Sequence, residues 1–251
     1  MITIQTEQLN QIPCLSIVDN NRRKDPLPTI IYSHGYKSMK EQNLPIAYFL
    51  AKKGFRVILP DSIHHGDRGG EISETELDLF FWEIVINNIK EVEKIYSYLQ
   101  EQQLLLDGRI GLAGTSMGGI TTAGALAVYP WINTAAILMG APIITEYAQQ
   151  LIEENREHLS ITTEVIEQTL ESLHKYDLSK HLTKLNERPL LLWHGKKDSV
   201  IPFKYSYSFY VQAKKYYTNS KHIRFLQEEN RDHKVSKYAM LETVKWFEQY
   251  L

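Results

Sequence analysis

Residues 109–128 read RIGLAGTSMGGITTAGALAV. An apolar run, Arg109 to Ala113, ends in glycine, passes through Ser116 and continues directly into a helical pattern of small residues. A serine at such a strand-to-helix turn is forced into a strained backbone that projects its hydroxyl above the sheet. The turn closes only if the residues two positions away on either side lack a β-carbon. Gly114 and Gly118 meet that demand. Gly119, Ala123, Gly124, Ala125 and Ala127 let the helix lie close on the sheet, and its amino terminus directs partial positive charge at the serine, which favours a developing oxyanion. The same letters also suit a glycine-rich turn that merely packs, so the weight of Ser116 depends on its partners elsewhere in the chain.

Working outward, short β-rich runs bounded by turn residues fall at Thr29–Ser33, Phe55–Pro60, Arg109–Ala113, Thr134–Leu138, Pro189–His194 and His222–Leu226. Helical patterns fill the spaces between them, at Pro45–Lys53, Glu76–Gln102, Met117–Val128, Lys204–Tyr217 and Val235–Leu251. Strand and helix in alternation imply an α/β fold: a mostly parallel central sheet with helices on both faces and right-handed crossovers. The segment Met1–Ile17, interrupted by Ile12-Pro13, reads as an antiparallel edge hairpin.

One interval breaks the rhythm. About fifty residues separate Gly140 from Pro189, far more than an ordinary connection. Within it, Ile144–His158 and Thr162–Tyr176 carry apolar residues at helical spacing, and Ser160–Glu164 suits a helix start. The expectation is one domain, 1–251, with a helical cap inserted at 141–188. A crossover helix with an extra turn accounts for the same pattern, because periodicity does not say what a helix covers.

With 43% hydrophobic and 23% charged residues in 251, the chain is ordinary globular material for one core. A formal net charge of -2 offers no basic footprint for nucleic acid and no polybasic stretch for a membrane surface. Cys14 is the single cysteine, which leaves no intrachain disulfide and no cysteine metal cluster. The opening MITIQTEQLNQIPC shows no charged leader followed by an apolar run, and no long apolar segment follows, so a cytoplasmic location is expected. Whether the chain forms a homo-oligomer stays open.

A serine hydroxyl near neutral pH needs a general base, normally a neutral histidine, and that base needs a carboxylate to fix its tautomer and stabilise its cation. The run Pro189–His194 leads into Gly195-Lys196-Lys197-Asp198-Ser199-Val200-Ile201-Pro202, which places Asp198 at the carboxyl end of a strand, where sheets of this kind hold their chemistry. On its own such an aspartate is as readily a turn former. The next strand leads through Glu228-Glu229-Asn230-Arg231-Asp232 to His233 and then the last helix. Of nine histidines, His158, His174, His181 and His194 fall between serine and acid, and His222 opens a strand, so none shares the placement of His233. A lone loop histidine is otherwise a solvated surface residue.

Taken together, Ser33-His34-Gly35-Tyr36, Gly114-Thr115-Ser116-Met117-Gly118, His194-Gly195-Lys196-Lys197-Asp198 with Val200 and Pro202, and Asp232-His233 resemble the α/β-hydrolase superfamily. The likeness is greatest to its small bacterial esterases, related to dienelactone hydrolases and to the catalytic domain of prolyl oligopeptidases. It runs from about residue 27 to the end of the chain. In that superfamily the chain order is serine, acid, histidine. The resemblance implies Ser116 as nucleophile, Asp198 as acid and His233 as base, with an oxyanion hole from the backbone N–H groups of Met117 and of Tyr36, or Lys37 in its place. His34 is expected to support its loop. Asp61-Ser62-Ile63-His64-His65-Gly66-Asp67 resembles the superfamily's D-x-x-G-H-G segment without its first glycine, and is expected to shape a loop and part of the pocket wall. A metal site at His64, His65 and Asp67 is the alternative reading, weakened because adjacent histidines point in different directions and no further ligands cluster nearby.

The function expected is hydrolysis of a small-molecule carboxylic ester through an acyl-enzyme, with no metal or organic cofactor and with activity falling at acid pH as His233 becomes charged. Three alternatives stand beside it. A peptidase of oligopeptidase type would usually carry an amino-terminal propeller, for which this chain has no room. Thioester cleavage is chemically close, and a catalytically silent binding module is the alternative of another class. The acyl and alcohol groups depend on how Ile144–Leu185 lies over the site and on aromatic residues such as Trp82, Trp131 and Tyr147, which are ordinarily core.

Overall fold

The chain opens with strands β1 (Ile2–Leu9) and β2 (Ile12–Asp19), joined at Asn10 and Gln11, which both adopt positive φ (48° and 68°). Such a two-residue turn matches the twist of paired strands. The interruption expected at Ile12-Pro13 is therefore displaced. Pro13 lies inside β2 opposite Gln8, and its carbonyl accepts the Asp61 N–H at 2.9 Å. The coordinates, a computed structural model, describe every residue from Met1 to Leu251.

Six further strands follow: β3 (Leu27–Ser33), β4 (Arg56–Pro60), β5 (Leu105–Thr115), β6 (Thr134–Leu138), β7 (Leu190–Gly195) and β8 (Ile223–Glu228). They form one sheet in the order β1-β2-β4-β3-β5-β6-β7-β8. β2 pairs antiparallel with β1 and β4, and every pairing from β4 to β8 is parallel. The direction of winding reverses between β3 and β5, so the chain leaves the carboxyl ends of these two strands in opposite directions and a crevice opens there.

Side-chain alternation distributes the helices. Ile30 and Tyr32 of β3 point to the face covered by α1 (Leu44–Lys52) and α8 (Lys237–Tyr250), where they share a core with Leu50, Val244 and Phe247. Ile31 points to the other face, packed with Ile84 and Ile89 of α3 (Phe81–Glu101), Ile120 of α4 (Met117–Val128) and Phe209 of α7 (Lys204–Ala213). Both faces being covered explains why the parallel strands read as unbroken apolar runs.

The single helix expected over 76–102 is two. A reciprocal capping box between Ser73 and Glu76 starts a short α2 (Glu74–Leu79), and the chain turns at Phe80 (φ −82°, ψ 0°) before α3 begins. Between β6 and β7 lie α5 (Ile144–Asn155) and α6 (Thr163–His174), the latter capped by Thr162. Buried Asp177 pins this interval: one carboxylate oxygen accepts the Thr145 N–H at 2.8 Å and the other the Ser179 N–H at 3.0 Å. No helix is long and apolar enough to cross a membrane.

Candidate active site

Ser116 lies between β5 and α4 with φ 56° and ψ −117°, a left-handed conformation that costs a non-glycine residue of order 1–3 kcal/mol. The surroundings hold it there. Its N–H donates to Leu138 O at 2.9 Å, and its carbonyl accepts the Ile120 N–H at 2.9 Å. A β-carbon on Gly114 would stand 2.1 Å from Gly118 O, and one on Gly118 would stand 2.1 Å from Ser33 O. The two glycines are thus required by close backbone approach on both sides of the turn, and α4 is buried from Met117 to Ala127.

Asp198 follows β7 and His233 follows β8, and these strands are neighbours in register Gly195↔Glu228, so their carboxyl-end loops leave side by side. Lys196 N–H to Glu228 O and Lys197 N–H to Arg231 O, both 2.9 Å, tie the loops together. Asp198 Oδ1 accepts the N–H groups of Val200 and Ile201 at 2.9 Å, which leaves Oδ2 free to receive His233 Nδ1–H at 2.7 Å. On the other side of the ring, His233 Nε2 accepts the Ser116 hydroxyl at 2.8 Å. Serine, imidazole and carboxylate, from three loops, therefore form one continuous hydrogen-bonded chain. Burial works to raise the Asp198 carboxyl, but hydrogen bonds from His194, His233 and the Ile201 N–H outweigh it and hold Asp198 well below the usual carboxylate range.

The loop after β3 runs alongside. Gly35 faces Ser116 so closely that a β-carbon there would stand 3.5 Å from Ser116 Cβ. Met117, the first residue of α4, has an N–H outside that helix's own ladder. Of the two residues named for this loop, Lys37 has its N–H occupied, donating to His65 Nε2 at 3.0 Å. Tyr36 lines the cavity at Ser116, while its hydroxyl is drawn away to Asp78 Oδ1 at 2.6 Å.

His34 supports the same loop, as expected. Its Nδ1–H donates to Gly35 O at 2.7 Å and its Nε2 accepts the Ser62 N–H at 3.0 Å. Both nitrogens are committed and the ring is neutral; burial pushes it down to about 4, against a smaller opposing effect of the Gly35 carbonyl. His65 repeats the pattern, donating to Ile63 O at 2.9 Å, and burial lowers it too. His64 stacks on Phe80, and Asp67 pairs with Lys40 Nζ at 2.8 Å, so the three side chains of the alternative metal reading turn to three different partners.

Lys40 had no signal in the sequence, yet it is only 1% exposed and its ammonium meets Asp61 at 2.6 Å and Glu41 at 3.0 Å. Burial works to lower Lys40, and the hydrogen bonds it donates to Asp61, Asp67 and Glu41 overcome this and hold the ammonium above its ordinary range. This cluster fixes the 61–67 loop behind the site. The expectation that 61–67 forms part of the pocket wall is corrected: the wall comes from the α2–α3 corner instead.

A cavity of about 720 Å³ opens at Ser116. One wall is Leu79, Phe80, Phe81 and Ile86, and the facing wall is Leu151, Leu159, Ile161 and Val165 from the interval between β6 and β7. Of the aromatic residues singled out by sequence, Trp82 and Tyr147 line this cavity; Trp131 instead stacks on Tyr96 at 3.9 Å and donates to Glu93. The Phe80-Phe81-Trp82 run was the available signal for the wall, obscured by reading it as the interior of one long helix.

Residues 45–251 match the prolyl oligopeptidase family. The chain belongs to that family. As a member it is a serine hydrolase with the α/β-hydrolase fold. Among its relatives is YitV of Bacillus subtilis (strain 168), whose name marks its esterase assignment as provisional; it is 44% identical over 255 residues, covering 100% of both chains. Esterase YjfP of Escherichia coli (strain K12) is 33% identical over 205 residues, covering 80% of this chain and 81% of its own. Among solved structures, TT1662 from Thermus thermophilus superposes with a TM-score of 0.80 over 99% of this chain and 98% of its own, at 16% identity, a likeness of fold.

Proposed function

We propose that this prolyl oligopeptidase family member is an esterase in which Ser116 is the nucleophile, His233 the general base and Asp198 the acid that orients it. The observation that carries the reading is the unbroken chain from Asp198 Oδ2 through His233 to Ser116 Oγ, 2.7 Å and 2.8 Å, which reaches the cavity at Ser116. His233 takes the Ser116 proton as Oγ attacks the ester carbonyl, and the resulting imidazolium is balanced by the ionised Asp198. The N–H groups of Met117 and Tyr36 receive the oxyanion. His233 then protonates the departing alcohol oxygen, the acyl group remains on Ser116, and a water activated by the same imidazole releases the acid. The amino terminus of α4 favours the charge that develops at the oxygen.

Residues 141–188 act as a helical cap, supported by the place of α5 and of Leu159 and Ile161 opposite the α2–α3 corner. The apolar walls suit a neutral small-molecule ester with a medium-length aliphatic or aromatic acyl group. The family also holds peptidases, so aminoacyl amides belong in the same assay. The lone cysteine, buried and unpaired, supports residence in a reducing compartment such as the cytoplasm.

A fluorophosphonate probe followed by peptide mapping tests the assignment. Labelling is expected at Ser116 and absent from S116A; labelling elsewhere, or none in the unaltered protein, ends it. A panel of nitrophenyl esters of increasing acyl length beside aminoacyl amides then reads the substrate class, with esters expected to turn over faster.

A further inference from the structure

His194, the last but one residue of β7, is fully buried and has no part in the steps above. Its Nε2 stands 2.9 Å from Ile201 O and 3.1 Å from Asp198 Oδ2. A carbonyl and a carboxylate only accept, so Nε2 carries a proton. Its Nδ1 stands 2.7 Å from Ser206 Oγ, whose own hydroxyl donates to Gly140 O at 3.0 Å. A serine has one proton to give; used on Gly140, it leaves Oγ as an acceptor toward the ring, and Nδ1 must donate as well.

Buried carboxylates of this protein are held in two ways: Asp61 and Glu91 take Lys40 and Arg68 as partners at 2.6 Å and 2.7 Å, whereas Asp177 is met by the N–H and hydroxyl groups of Thr145 and Ser179. Asp198 has neither lysine nor arginine beside it; its ionic partners are the two imidazoles. A buried carboxylate flanked by a cation is far cheaper than one without.

We propose that His194 is a positioning residue for Asp198: a buried imidazole protonated on both nitrogens, donating to the acid on one side and to Ser206 on the other. The proposal rests on Asp198 and His233 acting as acid and base. Ser206 extends the link to Gly140, which packs against Gly119 at the start of the nucleophile's helix, so acid and nucleophile are braced beneath the site as well as joined above it. A standing cation on one side of Asp198 opposes the second one that forms at His233 during turnover. Phe203 lies edge-on to the His194 ring at 5.9 Å and has the Lys196 ammonium 6.0 Å from its own ring; Tyr147 of α5, whose hydroxyl is raised by burial and by Asp198, is the further titratable group near the acid.

Imidazole nitrogen NMR of the unaltered protein at pH 8, assigned by the signal missing in H194Q, reads the proton count without turnover. Both His194 nitrogens are expected to be protonated, and one bare nitrogen overturns the proposal. In kinetics, H194Q keeps an N–H toward Asp198 and removes the charge, so the acid limb of kcat/KM is expected to move up by about one pH unit; an unmoved limb also overturns it. H194F, which fills the space without donating, is expected to lose about tenfold more kcat than H194Q with little change in KM, and the reverse ranking would mark His194 as mere filler. Failure of Ser116 labelling would instead undo the triad, and the nitrogen spectrum does not depend on it.

Discussion

Two clusters of buried aspartate and histidine flank the nucleophile, built from the same residue types and doing opposite things. Behind the site, Asp61 is held by Lys40, and His34 and His65 spend both ring nitrogens on neighbouring backbone. In front of it, Asp198 has its second oxygen on His233, and the far nitrogen of His233 meets only a serine hydroxyl. Composition does not separate the two. What separates them is where the last ring nitrogen points: at an amide that cannot give up its proton, or at a hydroxyl that can. The rear cluster is a scaffold for the loop carrying Tyr36, and the front one is poised for proton transfer.

The contrast breaks most visibly under substitution. S116A is expected to lower kcat by at least about a thousandfold while moving Tm by no more than about 2 °C, since little packing changes. K40M should do the reverse. It leaves Asp61 buried without its cation, a loss of about 3–5 kcal/mol, read as a fall in Tm of about 10 °C with kcat of the folded fraction kept within tenfold. If K40M abolished turnover with Tm unchanged, the rear cluster would be part of the chemistry and the distinction would collapse.

Acid sharpens the same contrast through stability. His34 is depressed from 6.5 to about 4, so between these values the unfolded chain binds a proton that the folded one refuses. Its contribution is full above pH 6.5, declines as the pH falls and is gone below about pH 4, amounting to about 3 kcal/mol in all. Urea midpoints at pH 7.5 and pH 5 read part of this loss above the range where the lowered Asp61 and Asp198 begin to titrate. H34Q, which cannot take up a proton, is expected to reduce the difference, the remainder belonging to His65, which burial also lowers. A slope unchanged in H34Q would place the acid sensitivity elsewhere.

How much of this the sequence carried follows from the range of the forces involved. The β5–α4 turn was legible to the residue, because its glycines answer a steric demand within four positions, and helix α4 spans the expected Met117–Val128. Asp198 and His233 were legible from their places after consecutive strands, and the structure brings both to Ser116. Lys40 was not: its burial depends on carboxylates at 41, 61 and 67 that converge only in three dimensions. Nor was the role of His65, whose neighbour in space is the amide of Lys37, 28 residues away. The break at Phe80 was hidden for the opposite reason, since α2 runs through Leu79-Phe80-Phe81 into α3 with no glycine, proline or side-chain cap between them, and the capping box at Ser73 marks only where α2 starts.

The smallest expected effect lies in the facing cavity wall, where specificity rather than chemistry is at stake. Leu159 and Val165 reach the cavity from the interval between β6 and β7, and Val165 remains 48% exposed, so trimming these side chains removes contact with substrate more than it opens the core. In L159A and V165A, KM for an octanoyl ester is expected to rise by three- to tenfold, about 1 kcal/mol, with acetyl esters unaffected and Tm within about 2 °C. The acyl-length dependence is the informative part. Equal losses for acetyl and octanoyl esters would mean that this interval holds the triad loops in place, making it a second scaffold; a loss confined to long chains leaves scaffold, chemistry and selection in three separate parts of the molecule.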